Sequence, residues 1–280
     1  MSKTLHVVRL MAHERANEVR SEDVDFVLAE RLDLSPSEFQ LKQDLVVTPE
    51  QEKQLVKDTK KLARGVSPQY VLGYSWFYGY KIKVAPGVLI PRFETEELVA
   101  WALKKLQNGD KVLDLGTGSG CILVALAQEA AKKQVTQLQL YASDITDSAL
   151  RMSEENFLTY KLDVTVRKAN ILIGLEKFDW IISNPPYIKE NEQGYMDQNV
   201  LENEPREALF GGKDGLAFYR RFAKQVRDHL NSHGQFLLEY GFSEQAELWQ
   251  LLTDQLPDFE LEFRNDMAGK PRMVYGKWQK

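Results

Sequence analysis

Asn184-Pro185-Pro186-Tyr187 follows the apolar run Trp180-Ile181-Ile182, and Asp114-Leu115-Gly116-Thr117-Gly118-Ser119-Gly120 lies upstream of it. A polar loop at the end of each of two buried strands suggests one shared crevice, because ligands of open α/β sheets bind beyond the carboxyl ends of the strands. Two consecutive prolines remove two backbone donors and hold the residue before them extended, so the loop is a stiff acceptor. Asn184 can offer its side-chain oxygen, and Pro185 its carbonyl, to the two hydrogens of a planar NH2 group, with Pro186 stiffening the loop and Tyr187 stacked on the flat group. A nitrogen that attacks a methyl group on sulfur gains positive charge, and fixed acceptor dipoles bind it more tightly in the transition state than in the ground state. The chemistry is methyl transfer to nitrogen, which requires neither a metal nor a strong base. The plain alternative is a Pro-Pro turn after a buried strand.

Glycines at 116, 118 and 120 stand between a strand ending near Asp114 and the helix-like run Ile122 to Ala127, where backbone can approach a ligand at a helix N-terminus. The dinucleotide pattern G-x-G-x-x-G is not met, since Cys121 takes the third position and the glycine comes one place early. The phosphate-loop pattern is absent too; Gly211-Gly212-Lys213-Asp214 has neither its spacing nor its hydroxyl. A nucleoside without a pyrophosphate fits, which points to S-adenosylmethionine. Its methionine part and sulfonium would lie near Asp114, Gly116, Thr117, Gly118, Ser119 and Gly120, its ribose on Asp144 and its adenine on Asn170, with Asn184 closing the site. Two alternatives stay open: Asp144, Thr146 or Asp147 caps the next helix, and Asn170 is a turn residue.

Positioning these loops takes a particular set of elements. Residues 1–73 read as a small helical bundle without strand-like runs. Ser35-Pro36-Ser37-Glu38 and Thr48-Pro49-Glu50-Gln51 each combine a capping hydroxyl, a proline at the first helical position and a reciprocal Glu or Gln. Val24, Val27, Leu28 and Leu32 fall at helical spacing and define a buried face. Residues 74–87 read as a hairpin around Gly79 and a linker broken by Pro86-Gly87. From 88 to 280 strand and helix alternate, with strands expected over Lys111 to Leu115, Gln137 to Ser143, Asp163 to Lys168, Phe178 to Ser183 and Gln235 to Tyr240. Between them run amphipathic stripes, Ala149, Met152, Ser153, Asn156, Phe157 and Tyr160 in one and Leu216, Tyr219, Phe222, Ala223, Val226 and Leu230 in another. Such alternation implies an α/β fold with a mostly parallel sheet covered on both faces.

Composition narrows the classes. The chain of 280 residues is 43% hydrophobic and carries a net charge of -5, enough for a sizeable core and unsuited to non-specific nucleic-acid binding. The longest apolar stretch, Cys121 to Ala127, falls well short of the roughly 18 residues of a membrane span. Met1 to His6 lack the apolar core of a signal peptide, so a cytoplasmic protein is expected. The single cysteine, Cys121, is expected to pack as a small apolar residue rather than to act as a nucleophile. His229 and His233 are four apart and can share a helix face, yet no zinc-hydrolase Glu accompanies them; charge near a helix C-terminus before Gly234 is the expected role, and no metal site is expected. Arg92, Glu94 and Glu96 either contact cofactor or substrate or form an acidic first turn on the helix that carries Leu98, Trp101 and Ala102.

The chain resembles the release-factor glutamine methyltransferases, the PrmC/HemK family, over nearly its whole length. Besides the two loops, the resemblance rests on Gly87-Val88-Leu89-Ile90-Pro91-Arg92 with Glu94-Thr95-Glu96, Glu204-Pro205 with Ala208-Leu209, Gly211-Gly212-Lys213-Asp214-Gly215-Leu216, and Leu238-Glu239-Tyr240-Gly241. It implies a helical N-terminal domain before a Rossmann-like, seven-stranded class I methyltransferase domain. It also implies methylation of the side-chain amide of the Gln in the Gly-Gly-Gln loop of class I peptide chain release factors. Phe93 stands where the family usually has proline, and Asn170 stands where an acidic residue is common. The rival activity is adenine methylation in DNA or RNA, since an Asn-Pro-Pro-Tyr loop grips a flipped-out exocyclic amine by the same geometry.

Overall fold

The computed structural model describes residues 3–280; Met1 and Ser2, part of the opening stretch assigned to the helical domain, lie outside it. The chain divides into two units, residues 1–75 with 197–203 and residues 76–196 with 204–280.

The first unit holds strand β1 (Lys3–Thr4), helices α1 (Leu5–Arg15), α2 (Ser21–Arg31) and α3 (Pro36–Leu41), strand β2 (Val46–Val47), and helices α4 (Pro49–Leu62) and α5 (Pro68–Leu72). Both expected capping boxes form, with Ser35 and Glu38 starting α3 and Thr48 and Gln51 starting α4. Val24, Val27, Leu28 and Leu32 are buried, as their spacing requires, around a core that includes Leu5, Phe39, Leu55 and Leu62. The expectation of no strands is corrected by the antiparallel pair β1–β2, two residues each and too short to leave an alternation in sequence. The stretch Asp197–Asn203 also belongs here, although sequence placed it in the catalytic region. Its helix lacks buried residues, and Asn203 Nδ2 donates to the Gly65 carbonyl at 2.9 Å, a polar tie that carries no hydrophobic period.

A hairpin of β3 (Tyr74–Phe77) and β4 (Tyr80–Lys83) turns at Tyr78-Gly79, and the division between the units falls inside its first strand. In the second unit α6 (Phe93–Ala102), β5 (Lys111–Leu115), α7 (Cys121–Lys132), β6 (Gln139–Asp144), α8 (Asp147–Thr159), β7 (Val164–Lys168) and β8 (Phe178–Ser183) follow. After them come α9 (Gln198–Asn203, in the first unit), α10 (Arg206–Leu209), α11 (Ala217–Gln225), β9 (Leu230–Glu239), α12 (Gln245–Gln255), β10 (Phe259–Asn265) and β11 (Pro271–Trp278). The sheet order is β10-β11-β9-β8-β5-β6-β7, parallel except for β11, which runs against both its neighbours. Central strands β5 and β8 are buried almost throughout because helices cover both faces. One face packs Leu98, Leu123, Val124 and Phe157, the other Tyr219, Phe222, Leu248 and Leu252. Fully burying one such side chain contributes about 1.5–3 kcal/mol.

Strands β10 and β11 were not expected from the residues themselves, although Phe259, Leu261 and Phe263 alternate with Glu260, Glu262 and Arg264 as a strand should. The stripe from Leu216 to Leu230 is buried as expected, but α11 ends at Gln225, a 3-10 turn spans Val226–His229, and Leu230 already opens β9. His229 and His233 therefore do not share a helix face. His229 Nδ1 meets the Gln225 carbonyl at 2.9 Å, at the end of that helical stretch, whereas His233 lies within β9. Among the described residues no helix is long and apolar enough to cross a membrane, and no group of three or more His, Cys, Asp or Glu is placed to hold a metal.

Candidate functional site

Strand order reverses between β5 and β8, with β6 and β7 to one side and β9 to the other, and the crevice opens there. The two ends are tied together, since Ser183 Oγ donates to the Leu115 carbonyl at 2.5 Å. A cavity of about 350 Å3 lies over them, within the roughly 300–1,000 Å3 of small-molecule sites. Gly116, Thr117, Gly118, Ser119, Asp144, Asn170, Asn184, Pro185, Pro186 and Arg92 all line it, so two loops about 70 positions apart in sequence meet in one place.

Hydrogen bonds to β6 and α8 hold the glycine loop. The Gly116 and Thr117 amides donate to the Ser143 carbonyl at 2.8 and 2.9 Å, the Gly118 amide donates to Asp144 Oδ2 at 3.1 Å, and Asn156 Nδ2 donates to the Ser119 carbonyl at 2.8 Å. Asp144 also accepts from the Thr146 amide and hydroxyl, while Thr146 itself caps α8. Asp144 thus supports the helix start through Thr146 and also lines the cavity.

Three residues expected at the site do not line the cavity. Asp114, near the end of β5, is fully buried; its Oδ2 accepts from Thr117 Oγ1 at 2.7 Å, and burial pushes its carboxyl up to about 7. It shapes the loop from beneath. Gly120 starts α7 in the left-handed region, φ +80°, and an added Cβ would sit 2.6 Å from the Phe157 ring, so its glycine serves packing. Tyr187 turns away from the cavity: its hydroxyl donates to Glu239 Oε1 at 3.0 Å and its ring packs against the core. Stacking on a substrate is therefore not its part in this geometry. Cys121 is buried yet borders the cavity, and burial pushes its thiol up to about 12, which makes it a poor nucleophile.

Asn170 is exposed and lines the cavity, its Oδ1 accepting from Arg221 at 2.6 Å. The next residue, Ile171, lines the cavity at φ +59°, a conformation that costs a β-branched residue about 1–2 kcal/mol and bends the chain around the opening. Arg92 pairs with the buried Glu204 at 2.8 Å, and the Ile90 amide meets the same carboxylate at 3.4 Å. Glu204 thereby holds the segment that leads into α6. Glu94 and Glu96 lie in the first turn of α6, where Glu96 accepts from the Tyr78 amide at 2.7 Å.

At the clamp, Asn184 Nδ2 donates to Thr95 Oγ1 at 2.8 Å, and Thr95 Oγ1 donates to Glu239 Oε2 at 2.7 Å. Among the described residues nothing donates to Asn184 Oδ1 or to the Pro185 carbonyl. In the sequence Thr95 and Glu239 stand out only as members of segments that carry the family resemblance. A polar residue in the apolar stripe with Leu98, Val99 and Ala102, and a carboxylate after Phe236-Leu237-Leu238, were the available signals.

The glycines near 211 have a packing reason. An added Cβ on Gly211 would lie 2.7 Å from the Pro186 carbonyl oxygen and 2.6 Å from that of Gly215. The Gly211 amide donates to the Ile188 carbonyl at 2.9 Å, which fastens this segment to the clamp loop. Gly211→Ala is expected to cost about 1–3 kcal/mol in stability and to lower turnover, whereas Gly194→Ala, with open space around it, should shift stability by no more than about 0.5 kcal/mol. Thermal melts and turnover of the two variants check this, and equal behaviour would remove the close-approach explanation.

Two family models match the chain: the PrmC N-terminal domain over residues 9–73 and the methyltransferase small domain over residues 94–213. A release factor glutamine methyltransferase of Streptococcus pneumoniae is 39% identical over 257 residues, covering 91% of this chain and 90% of its own. One of Bacillus cereus is 36% identical over 242 residues, covering 83% and 84%. Among solved structures, a methyltransferase from Pyrococcus furiosus superposes with a TM-score of 0.52 at 18% identity, over 83% of this chain and 99% of that one, a likeness of fold.

Proposed function

This chain belongs to the release factor glutamine methyltransferases, and from that premise we propose that it methylates the side-chain amide nitrogen of the glutamine in the Gly-Gly-Gln loop of class I peptide chain release factors. The observation that carries the reading is the pair of unengaged acceptors, Asn184 Oδ1 and the Pro185 carbonyl, at the wall of the glycine-loop cavity.

The cavity fits S-adenosylmethionine. Its wall carries a carboxylate, Asp144, for the ribose hydroxyls, the Asn170 NH2 for the adenine edge, and the N-terminus of α7 for an amino-acid carboxylate. Leu115, Ile122, Ile145, Ile171 and Phe218 add apolar surface. When bound, the cofactor supplies a methyl group on a positively charged sulfur. The chain's residues do the rest by placement, which is worth up to about 7–11 kcal/mol when reactants are well oriented. Asn184 and Pro185 accept the two N–H groups of the substrate amide and so direct its lone pair along the cavity. As the N–C bond forms and the methyl–sulfur bond would break, positive charge develops on that nitrogen, both acceptors bind it more strongly, and the fixed prolines require no reorganisation; one of its two protons then passes to water, which leaves a neutral N-methyl amide. Arg92 and Pro186 form the substrate side of the wall, with Tyr187 behind it. Nothing in this scheme calls for contact with nucleic acid, and we assign the protein to the cytoplasm, with release factors as its partner.

The test offers labelled S-adenosylmethionine with a release factor, with the same factor carrying a changed loop glutamine, and with duplex DNA. Label is expected in the intact factor alone. Label in the DNA and not in the factor would transfer the chain to the adenine methyltransferases.

A further inference from the structure

Glu239 ends β9 fully buried, and its two carboxylate oxygens accept from Thr95 Oγ1 at 2.7 Å and from the Tyr187 hydroxyl at 3.0 Å. Thr95 in turn accepts from Asn184 Nδ2 at 2.8 Å. We propose that Glu239 and Thr95 are positioning residues that set which way round the Asn184 amide sits, so that its oxygen and not its NH2 faces the nitrogen to be methylated. The proposal rests on reading Asn184 as the acceptor for the substrate amide.

An amide has nearly the same shape in either orientation, so packing alone selects neither. Hydrogen-bond inventory does. An ionised carboxylate only accepts, and a hydroxyl has one proton. Glu239 takes the Thr95 proton, which leaves Thr95 only lone pairs to offer Asn184, and only the NH2 half of the amide can meet a lone pair. The reversed amide would set oxygen against those lone pairs and point NH2 at the substrate's own NH2, donor against donor. Tyr187 fixes the second carboxylate oxygen, which gives its turn away from the cavity a purpose.

The charge state of Glu239 then matters. Burial raises its carboxyl to about 7, opposed by the bonds from Thr95 and Tyr187 and by Arg272 of β11, and aided by Glu94 of α6; the hydroxyl of Tyr219 of α11 donates to its backbone carbonyl. Once protonated, Glu239 becomes a donor, Thr95 can turn its proton toward Asn184, and the amide loses its fixed sense. Turnover should therefore fall as pH drops through about 7, with the form above that value active.

The experiment measures turnover, release-factor KM and cofactor affinity for Thr95→Val, Thr95→Ser, Glu239→Gln, Asn184→Ala and the Thr95→Val/Asn184→Ala double variant. Thr95→Val is expected to lower kcat about ten- to a hundredfold with KM and cofactor affinity near the parent's, and Thr95→Ser to recover most of the loss. In the Asn184→Ala background Thr95→Val should add nothing, because the group it orients is gone. Glu239→Gln should be slow and lose the pH step. Parent-level turnover in Thr95→Val alongside an impaired Asn184→Ala overturns the relay alone, as does a fully additive double variant. Parent-level turnover in Asn184→Ala would instead remove the acceptor reading beneath it. Should Thr95→Val not fold, Glu239→Gln, checked by thermal melting, carries the same readings, and an unchanged pH step there overturns the proposal.

Discussion

Asn184→Ala is expected to lower turnover by two to three orders of magnitude, about 2.7–4 kcal/mol of transition-state stabilisation, the cost of deleting one preorganised partner of developing charge. The side chain lies at the cavity wall with its oxygen unengaged, and its NH2 is committed to Thr95. Truncation therefore removes the acceptor without opening the core. Affinity for S-adenosylmethionine should stay within a fewfold of the parent, because the glycine loop and Asp144 are held by contacts that do not include Asn184. Single-turnover kinetics beside calorimetry separates the two quantities. Near-parent turnover would mean that the Pro185 carbonyl or another group suffices.

Asp144→Ala should act on the other quantity. Its carboxylate accepts from the Gly118 amide, the Thr146 amide and the Thr146 hydroxyl and still faces the cavity. Hydrogen bonds to a charged group are worth about 1.5–3 kcal/mol each, so losing the ribose contacts and freeing Gly118 together should weaken cofactor binding roughly a hundredfold or more. Asp144→Asn keeps one acceptor oxygen and should lose about tenfold. Unchanged affinity in Asp144→Ala with a lower melting temperature would leave this residue as a support for α8 alone.

The site is costly to keep folded. Asp114 and Glu239 are both raised to about 7 by burial, far above the roughly 4 of an unfolded carboxylate. Such groups favour the folded state most fully below the unfolded value, and that contribution is lost as pH rises through about 7. Turnover and stability therefore respond to Glu239 with opposite sign, since the ionised form that orients the clamp is the one burial opposes.

The sequence determined a good deal on its own. Local chemistry declares itself in short stretches, so the caps at Ser35 and Thr48, the strands Lys111–Leu115 and Phe178–Ser183, and the pairing of a glycine loop with an Asn-Pro-Pro-Tyr loop were legible. Each depends on residues a few positions apart, where periodicity and turn geometry act. What tertiary structure alone decided are contacts across long separations. Thr95 and Glu239 are 144 positions apart, and Arg92 and Glu204 are 112. The sense of the Asn184 amide, the turning of Tyr187 away from the cavity, the place of Asp114 beneath the loop and the return of Asp197–Asn203 to the helical unit are all of that kind. No local pattern encodes them, because a hydrogen bond between buried groups is satisfied by whichever partner the packed sheet brings within about 3 Å, and the chain must fold before that partner is chosen.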